Sequence, residues 1–499
     1  MSHPSSRAFY GAEQVRELDR RAIEDCGIPG HVLMKRAAAA AWSAAVARLR
    51  KPKQVVVVAG SGNNGGDGYE LARLAQSDGI EVRVLELAGE RRGDAATARS
   101  AWLEGGDAVF PASADALSEC GKGVLLVDAV FGTGLSRAPR GEAAACITAI
   151  NAARDRGAQV LALDIPSGLF ADSGQAPGVA VSADLTVSFI GRKPGLHLGE
   201  GPDRTGDLVF DALEIPATIY EALPQAASLL GEDLLRSTLS RRPRSAHKGS
   251  HGHVLLIGGD GGTNGALLMA ARAALRSGAG LVSVATRAAH AAALAMAQAE
   301  LMPHGVEDVE ALASLIDKAD VVAIGPGLGQ RDWGRTMFKA ALDCGRLLVL
   351  DADALNLLAD SPRSREDWVL TPHPGEAARL LQLDTATIQA DRLSAVAQLQ
   401  QRYGGVAVLK GAGSLVQGRE LGLCPHGNPG MGVGGMGDVL TGVVAAVLAQ
   451  HRSMPMSTET AVGVAVAAHA LAGDLAAKRG ERGLLPSDLI DSLREIMNP

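Results

Sequence analysis

The sequence predicts an α/β protein with two domains, each built on a parallel sheet covered by helices on both faces. Short apolar runs, such as VVVVA at residues 55–59, alternate with helical stretches along the chain, and this alternation is typical of parallel sheets. A chain of 499 residues is also too long for one hydrophobic core. Because the pattern lapses around residues 216–250, which we interpret as a linker and an exposed basic loop, we predict domains at residues 1–222 and 230–499.

Composition and charge exclude several classes of protein. The net charge of −7 gives no broad basic surface, so nucleic acid is not an expected partner. The five cysteines are scattered and form no C-x-x-C pair, which argues against disulfides or a zinc site and favours a cytoplasmic location. The N-terminus has no apolar core, so we expect no signal peptide. The apolar stretch that starts at Ala461 contains Asp474 and predicts a buried helix, with no membrane contact.

The first domain opens with helical periodicity over residues 12–50, followed by a buried strand and a glycine-rich motif. The motif fits G-x-G-x-x-G through Gly60, Gly62 and Gly65. Between a strand and a helix it predicts a Rossmann-like, three-layer domain with a phosphate-facing helix N-terminus. A tight structural turn explains the glycines equally well. However, Asn63, Asn64 and Asp67 add two amides and a carboxylate, for which a turn has no use.

Two acidic residues end later strands of the first domain. Asp128 ends the run GVLLVD, and Asp164 ends QVLALD, with Ser167 three residues further on. Capping of the next helix explains Asp128 alone equally well. Asp and Ser oxygens suit a hard cation or a substrate hydroxyl. A carboxylate that takes and returns a proton is the minimum for inverting a carbon centre, and Asp164 is the candidate for this role.

Three motifs of this half, GSGNNGGDG, VDAVFGTGL and DIPSG, resemble the NAD(P)H-hydrate epimerase family over about residues 10–215. Family members interconvert the R and S forms of NAD(P)H that carry water on C6 of the nicotinamide. The resemblance implies Asp164 as the catalytic residue and a potassium ion held by Asn64, Asp128 and Ser167. The implied substrate residues are Asn63, Asn64, Gly65, Gly66, Asp67, Gly132, Thr133, Gly134, Leu135, Ser136, Arg137, Ala138 and Asp164.

The second series of strands carries polar motifs of a different kind. Asp438 follows a glycine-rich loop and precedes an apolar helix, which predicts an anion pocket with a base positioned for a hydroxyl that attacks phosphorus. A capped helix is the structural alternative. Lys410 opens KGAGS after a buried strand and suits a nucleotide phosphate. His373 follows another strand, where a histidine is either structural or catalytic, and Gly327 lies in GPGLG after a third.

The motifs GPGLG, LDADALN, TPHPGE, KGAGS and GGMGDVLTG resemble the ADP-dependent NAD(P)H-hydrate dehydratases over about residues 230–499. The resemblance implies a ribokinase-like fold, catalysis by Asp438, and Mg²⁺ bound together with ADP. The implied hydrate-binding residues are Ala266, Gly327, His373 and Asp438. The implied nucleotide-binding residues are Lys410, Gly411, Ala412, Gly413, Ser414 and Gly437.

The two resemblances together predict one chain that repairs hydrated NADH and NADPH (NADHX and NADPHX) with ADP, and we expect it to be a homo-oligomer. One alternative is a Rossmann dehydrogenase fused to a small-molecule kinase, for which Glu86 is the candidate ribose-binding acid. Another is that the first half is a degenerate binding module. The intact Asp128, Asp164 and Ser167 argue against such decay. Only the repair hypothesis predicts that NADH absorbance recovers when ADP is added.

Overall fold

The computed structural model describes residues 7–450, 454 and 456–499. It divides the chain into two compact units, residues 1–227 and 228–499, and this division falls between the two predicted domain ranges. The first six residues, which belong to the N-terminus without an apolar core, lie outside the described part.

The first unit contains a parallel sheet of seven strands in the order β4-β3-β2-β5-β6-β7-β8. The strands described in this unit are β1 (Ala8–Phe9), β2 (Gln54–Ala59), β3 (Glu81–Glu86), β4 (Val109–Pro111), β5 (Val124–Ala129), β6 (Gln159–Leu163), β7 (Leu185–Phe189) and β8 (Asp207–Asp211). The α-helices are α1 (Ala12–Glu24), α2 (Gly30–Arg48), α3 (Asn63–Ser77), α4 (Gly93–Glu104), α5 (Gly141–Asp155), α6 (Gly201–Arg204) and α7 (Ala217–Glu221).

Strand β2 explains why this sheet is covered on both faces. Successive strand residues point to opposite faces, and every valine of β2 is fully buried. Val55 and Val57 pack in one cluster with α2 and α3, whereas Val56 and Val58 pack in another with Ile147 of α5. Each buried valine contributes about 1.5–3 kcal/mol relative to an exposed one. The predicted three-layer, Rossmann-like architecture is therefore confirmed.

The helical periodicity predicted over residues 12–50 corresponds to two helices rather than one. Helix α1 ends at Glu24 and α2 begins at Gly30. Between them Gly27 adopts a φ of +67°, a left-handed conformation that glycine reaches at little cost. Pro29 then occupies the N-cap position of α2.

The second unit contains a mixed sheet in the order β9-β18-β17-β16-β15-β14-β13-β10-β11-β12. The strands are β9 (Ala227–Leu229), β10 (His253–Ile257), β11 (Leu281–Thr286), β12 (Met302–Gly305), β13 (Val321–Ile324), β14 (Leu347–Leu350), β15 (Trp368–Leu370), β16 (Val406–Leu409), β17 (Ser414–Gln417) and β18 (Leu421–Cys424). The α-helices are α8 (Glu232–Thr238), α9 (Asn264–Arg276), α10 (Ala288–Ala297), α11 (Val309–Ile316), α12 (Asp332–Leu342), α13 (Ala352–Asp360), α14 (Pro374–Leu381), α15 (Thr385–Ala390), α16 (Arg392–Tyr403), α17 (Met436–Ala449), α18 (Thr458–Ala477) and α19 (Pro486–Ile496).

Two sequence-based expectations for this region are wrong. The sheet is not wholly parallel, because β17 is antiparallel to both β16 and β18, and Lys410 begins the hairpin connection after β16. The predicted linker at residues 216–250 contains α7, β9 and α8. These elements are only three to seven residues long, too short to produce a clear hydrophobic period. The basic run RRPR at residues 241–244 is exposed, as predicted.

Helix α18 is the one helix of the described chain that is long and apolar enough to cross a membrane. Its residues Ala461–Gly473 are all buried inside the second unit, where α18 packs in the same core as α9, α17 and α19. The prediction of a buried, alanine-rich helix is confirmed.

Candidate active sites

The first unit contains a cavity of about 700 Å³ at the carboxyl ends of β2, β5, β6 and β7. Because the strands are parallel, these ends meet at one edge of the sheet, where such sheets bind their ligands. Ten of the predicted substrate residues line this cavity: Asn63, Asn64, Asp67, Gly132, Thr133, Gly134, Leu135, Ser136, Arg137 and Asp164. The other three, Gly65, Gly66 and Ala138, do not line it.

The glycines of the NNGGDG motif serve packing rather than ligand contact. The motif forms the start of α3, which begins at Asn63, and is not an extended loop. A Cβ on Gly65 would lie 2.1 Å from the carbonyl oxygen of Gly60, and a Cβ on Gly66 would lie 2.4 Å from Cε of Met34. Only glycine allows α3 to approach β2 and α2 this closely, and the approach brings Asn63 to the cavity.

Asp164 is held in place by a buried lysine that the sequence analysis did not identify. Its backbone is left-handed, with a φ of +66°, and the Phe189 N–H donates to its Oδ1 at 3.1 Å. Lys193 is fully buried and its Nζ also donates to Oδ1 of Asp164. The same ammonium donates to the Phe189 carbonyl at 2.7 Å and to Ser188 Oγ at 3.2 Å. Burial lowers the pKa of Lys193, although the charge of Asp164 opposes this effect.

Asp164 directly follows β6, and Lys193 lies in the loop that follows β7. The rule that polar residues after strands form the site would therefore have pointed to Lys193 as well. By this rule the sequence predicts the polar residues after β2, β5 and β6, whereas it predicts the segment DLTVSFIG only as a strand. The predicted catalytic aspartate therefore has a cationic partner, Lys193, that was missed.

Two further carboxyls of the cavity are hard to ionise. Burial raises the pKa of Asp67 well above its usual value, and the negative charges of Asp164 and Asp19 raise it further. Burial likewise raises the pKa of Asp19, with smaller contributions from Asp94 and Asp164. A cavity of this kind favours protonated carboxyls at positions without a cationic partner.

The three residues implied for potassium differ in whether their polar side-chain atoms form hydrogen bonds within the protein. Asp128 is fully buried, which raises its pKa to about 6. It accepts hydrogen bonds from the Ser167 N–H at 2.7 Å and from Ser167 Oγ at 2.6 Å. Both side-chain amide atoms of Asn64 are buried and have no hydrogen-bond partner in the described chain. An unsatisfied buried amide is costly, so Asn64 is prepared for a ligand that the protein itself does not supply.

Glu86, the candidate ribose-binding acid of the dehydrogenase alternative, is already engaged. It accepts hydrogen bonds from Tyr69 at 2.7 Å and from Arg99 at 2.6 Å. Burial alone would raise the pKa of Glu86, but these hydrogen bonds lower it. Glu86 does not line the cavity, and this argues against the dehydrogenase alternative.

In the second unit, the glycine-rich segment ends where α17 begins. Gly435 has a φ of +99°, and a Cβ there would lie 2.6 Å from Cε of Met269. Asp438 lies in the first turn of α17. Burial raises the pKa of Asp438 to about 6, the charge of Asp351 adds to this, and Lys410 opposes it. A base of this strength is suited to accept a proton near neutral pH.

Lys410 connects the start of α17 to two buried acids. Its Nζ lies 2.6 Å from Asp351 Oδ1 and 3.8 Å from Glu376 Oε2. A Cβ on Gly437 would lie 3.1 Å from the same Nζ. Burial alone would lower the pKa of Lys410, but Asp351 and Glu376 raise it. The structure therefore brings Lys410, Gly437 and Asp438 together, as predicted, and adds two carboxylates that were not assigned a role.

The loop Lys410–Ser414 is held from behind by a buried arginine. Arg392 donates to the carbonyl oxygens of Leu409 at 3.2 Å, Lys410 at 3.4 Å and Gly413 at 3.2 Å. Burial lowers its pKa to about 10. Arg392 lies in the ordinary helical pattern RLSAVAQLQ, where an arginine is expected on the surface, so no sequence signal pointed to it.

His373, Ala266 and Gly327 occupy helix or turn positions at the same edge of the sheet. His373 caps α14, because its Nδ1 accepts from the Gly375 N–H at 3.0 Å, and its Nε2 lies 3.5 Å from Oε1 of Glu376. Thr263 Oγ donates to the Gly327 carbonyl at 2.8 Å, and the Ala266 N–H donates to the Thr263 carbonyl at 3.2 Å. The first turn of α9 and the GPGLG turn are thereby joined.

Comparisons with known proteins agree with both halves of this description. A family model described as NAD(P)H-hydrate dehydratase matches residues 254–495, and one described as YjeF-related protein N-terminus matches residues 30–195. A ribokinase-like superfamily protein from Enterococcus faecalis is 33% identical with a TM-score of 0.51, and the match covers 55% of this chain and 96% of that one. The predicted ribokinase-like fold of the second unit is confirmed.

Two curated relatives match nearly the whole chain. The bifunctional NAD(P)H-hydrate repair enzyme Nnr of Coxiella burnetii is 45% identical, and the match covers 98% of this chain and 99% of that protein. The enzyme of the same name from Escherichia coli is 43% identical over 98% of this chain and 93% of its own length. With both domain models matched in order along one chain, this protein belongs to the family of bifunctional NAD(P)H-hydrate repair enzymes.

Proposed function

We propose that the chain repairs NADHX and NADPHX in two reactions on two sites. The first domain interconverts the R and S forms, and the second dehydrates the S form to NAD(P)H with ADP, releasing AMP and phosphate. Family membership over the full length of the chain supports this function. The site residues named for each reaction are part of the proposal.

The epimerase assignment depends most on one observation, the carboxylate of Asp164 in the wall of a cavity large enough for a nucleotide. Asp164 is paired with Lys193 and lies at the carboxyl edge of the sheet. In this position it can take the proton of the C6 hydroxyl and return it after the carbon has changed its configuration. Residues 132–137 and Asn63 line the same cavity and would bind the rest of the hydrate.

A potassium ion fits the residues implied for it. The amide oxygen of Asn64 has no partner, and Asp128 is a buried carboxylate that forms no ion pair with any described residue. Asn64, Asp128 and Ser167 offer only oxygen ligands, which suit a large, weakly hydrated cation. When bound, the ion would supply a positive charge close to the substrate and thereby help to hold it.

The dehydratase assignment depends on Asp438 beside Lys410 and the N-terminus of α17. Asp438 takes the proton from the C6 hydroxyl of the S hydrate. The hydroxyl oxygen attacks the β-phosphorus of ADP, a P–O bond to AMP breaks, and a phosphate ester forms. Loss of a C5 proton and of phosphate from C6 then regenerates NAD(P)H. Lys410 and the backbone N–H groups at the helix start stabilise the phosphates.

Magnesium fits the second site through carboxylates rather than through a complete protein cage. No group of three or more His, Cys, Asp or Glu residues suited to a metal occurs in the described parts of the chain. Mg²⁺ usually binds one or two carboxylates together with substrate phosphates. Asp351 and Glu376, which contact Lys410 in this structure, are the carboxylates that would hold it. When bound with ADP, the ion would neutralise phosphate charge.

A spectroscopic assay tests the proposed function. Purified full-length chain is mixed with ADP and a mixture of R and S hydrates, and the NADH absorbance and the AMP formed are followed together. We expect complete recovery of absorbance with one AMP for each NADH, because the epimerase feeds the R form to the dehydratase. Recovery of half the absorbance would contradict the epimerase assignment. Nucleotide turnover without recovery would instead support the kinase alternative.

Two further expectations stay predictions. A homo-oligomer is tested by light scattering on the purified chain. Cytoplasmic location is tested by fractionating cells that express the full-length protein.

A further inference from the structure

Asp67 is a carboxyl of the first cavity without a hydrogen-bonding or ion-pair partner among the described residues. It lies in the second turn of α3 and lines the cavity together with Asp164. Asp164 accepts hydrogen bonds from Lys193 and from the Phe189 N–H. Asp67, in contrast, forms no hydrogen bond or ion pair with any residue of the described chain. Two carboxyls therefore face one cavity in opposite electrostatic environments.

The charges around Asp67 favour its neutral form. The charged groups that line the cavity or act on Asp67 are Arg16, Asp19, Glu70, Asp94, Arg137, Asp164 and Lys193. Burial has the largest effect and raises the pKa of Asp67, and Asp164, Asp19 and Glu70 raise it further. Lys193 alone among these effects lowers it. Burial and these charges therefore favour the protonated form of Asp67, which is the form that can donate a proton.

We propose that Asp67 is a second catalytic residue of the epimerase site, the proton donor that acts together with Asp164 as the proton acceptor. This inference rests on the epimerase function proposed above. It gives Asp67 a chemical role instead of a binding contact alone. Carboxyl pairs whose environments differ in this way divide acid and base roles between them in other enzymes.

The chemistry of the hydrate requires both roles at once. C6 carries a hydroxyl and is bonded to the ring nitrogen, so it can open to an aldehyde. Asp164 takes the hydroxyl proton, the C–O bond becomes C=O, and the C6–N1 bond breaks with its electron pair going to N1. Asp67 gives its proton to N1. After rotation about C5–C6, N1 attacks the other face of the aldehyde, and both protons return to the carboxyls from which they came.

This sequence leaves the enzyme and the substrate balanced. No oxidant, water or second substrate is consumed, and each carboxyl ends in the protonation state in which it started. With two carboxyls, the oxygen can lose its proton to Asp164 while the nitrogen gains one from Asp67, so no single group has to move between the two atoms. General acid or base assistance of this kind contributes about 100- to 10,000-fold to a rate.

The test is Asp67→Asn in the full-length chain. The amide keeps the shape and can still donate a hydrogen bond, but it cannot transfer a proton. We expect kcat for epimerisation of the R hydrate to fall by about 100-fold or more, while binding of the R hydrate measured by calorimetry and the dehydratase rate on pure S hydrate stay unchanged. Asp155→Asn is the matched control, because it makes the same chemical change at an exposed residue at the end of α5 that does not line the cavity. It should keep the rate within about twofold.

A pH profile separates proton donation from shape. In the wild type, epimerisation should decline as pH rises through the raised pKa of Asp67, because the donor must be protonated. In Asp67→Asn this decline should disappear from the residual rate. Normal epimerisation by Asp67→Asn, or an unchanged alkaline decline in this variant, would overturn the inference. Failure of the wild type to epimerise would instead overturn the proposed function.

Discussion

Each site contains a lysine at the carboxyl edge of a sheet, fully buried in the case of Lys193 and partly buried in the case of Lys410. The two lysines pair with carboxylates of different roles. In the first unit Lys193 pairs with Asp164, the residue proposed to react. In the second unit Lys410 pairs with Asp351 at 2.6 Å, and Asp438 forms no ion pair among the described residues. The reacting carboxylate is thus paired directly in one site and only influenced from a distance in the other.

The difference in how the two carboxylates are paired matches the difference between the two proposed reactions. An epimerase must take a proton and return it within one site, so a carboxylate that is oriented by Lys193 and by the Phe189 N–H suits it. The dehydratase base takes a proton from a hydroxyl while phosphate charge develops nearby. In the proposed mechanism Lys410 stabilises the phosphate charge of the nucleotide and does not pair with the base. Burial raises the pKa of Asp438 to about 6, which suits it to accept the proton.

The largest expected effect is that of Asp438→Asn on dehydration. The change removes the base but leaves Lys410 and the helix N-terminus intact. Turnover of the S hydrate should fall by about 100- to 10,000-fold, while ADP binding by calorimetry and epimerisation stay normal. Normal repair would exclude Asp438 as the base. Loss of ADP binding would show that it holds the nucleotide or its magnesium ion.

Asp164→Asn tests the other half of the comparison. The amide preserves shape but cannot carry a proton, so epimerisation should fall about 100-fold or more. In a mixture of hydrates, the S form should then be repaired by the second domain while the R form persists. Chiral chromatography of the remaining hydrate measures this directly. A normal rate of epimerisation would mean that Asp164 is structural.

The sequence predicted the parts of the fold and of the sites that depend on short apolar runs and on the motifs that follow them. Apolar runs identified β2, β5 and β6, and the motifs after them mark the cavity. The hairpin of β17 and β18 was not predicted, because a four-residue strand does not reveal the direction of its partner. The short elements α7 and β9 were missed for a similar reason.

The sequence was least informative where a charged residue is buried. Lys193 and Arg392 are expected on the surface by type, and only the tertiary structure shows what they support. Gly65 and Gly66 illustrate the opposite error, since they belong to a binding motif and yet serve helix packing. A motif thus shows where a site lies, but it does not show which of its residues contact the ligand and which serve packing.

Lys193→Met tests how much the ion pair between Lys193 and Asp164 contributes to the stability of the first unit. Removing one partner of a buried ion pair leaves the other charge uncompensated, which costs about 3–5 kcal/mol. We expect the free energy of unfolding of the first unit to fall by about this amount in urea denaturation. Lys122→Met is the control, because Lys122 is exposed and should change stability by about 0.5 kcal/mol or less. Equal effects of both changes would contradict the buried pair.

A smaller effect is expected from pH on the dehydratase reaction. Because Asp438 must be ionised to accept a proton, and burial raises its pKa to about 6, kcat/KM should be level above this pH. Below it, kcat/KM should fall by about tenfold for each pH unit. The residual rate of Asp438→Asn should lack this inflection. ADP binding is measured at each pH, so that weaker binding is not mistaken for loss of the base.

The smallest expected effect concerns potassium and the unsatisfied amide of Asn64. Replacing potassium by tetramethylammonium should lower epimerisation severalfold, because a bulky cation cannot reach ligands as buried as Asn64 and Asp128. The dehydratase rate on pure S hydrate should stay the same.

A second measurement of potassium binding needs no substrate. Potassium should raise the melting temperature of the full-length chain, since a ligand that binds only the folded state stabilises it. Asn64→Leu, which removes the amide oxygen, should abolish both responses. If rates and melting temperatures were equal in the two salts, the ion would have no part in the first site, and the unsatisfied amide would belong to the substrate.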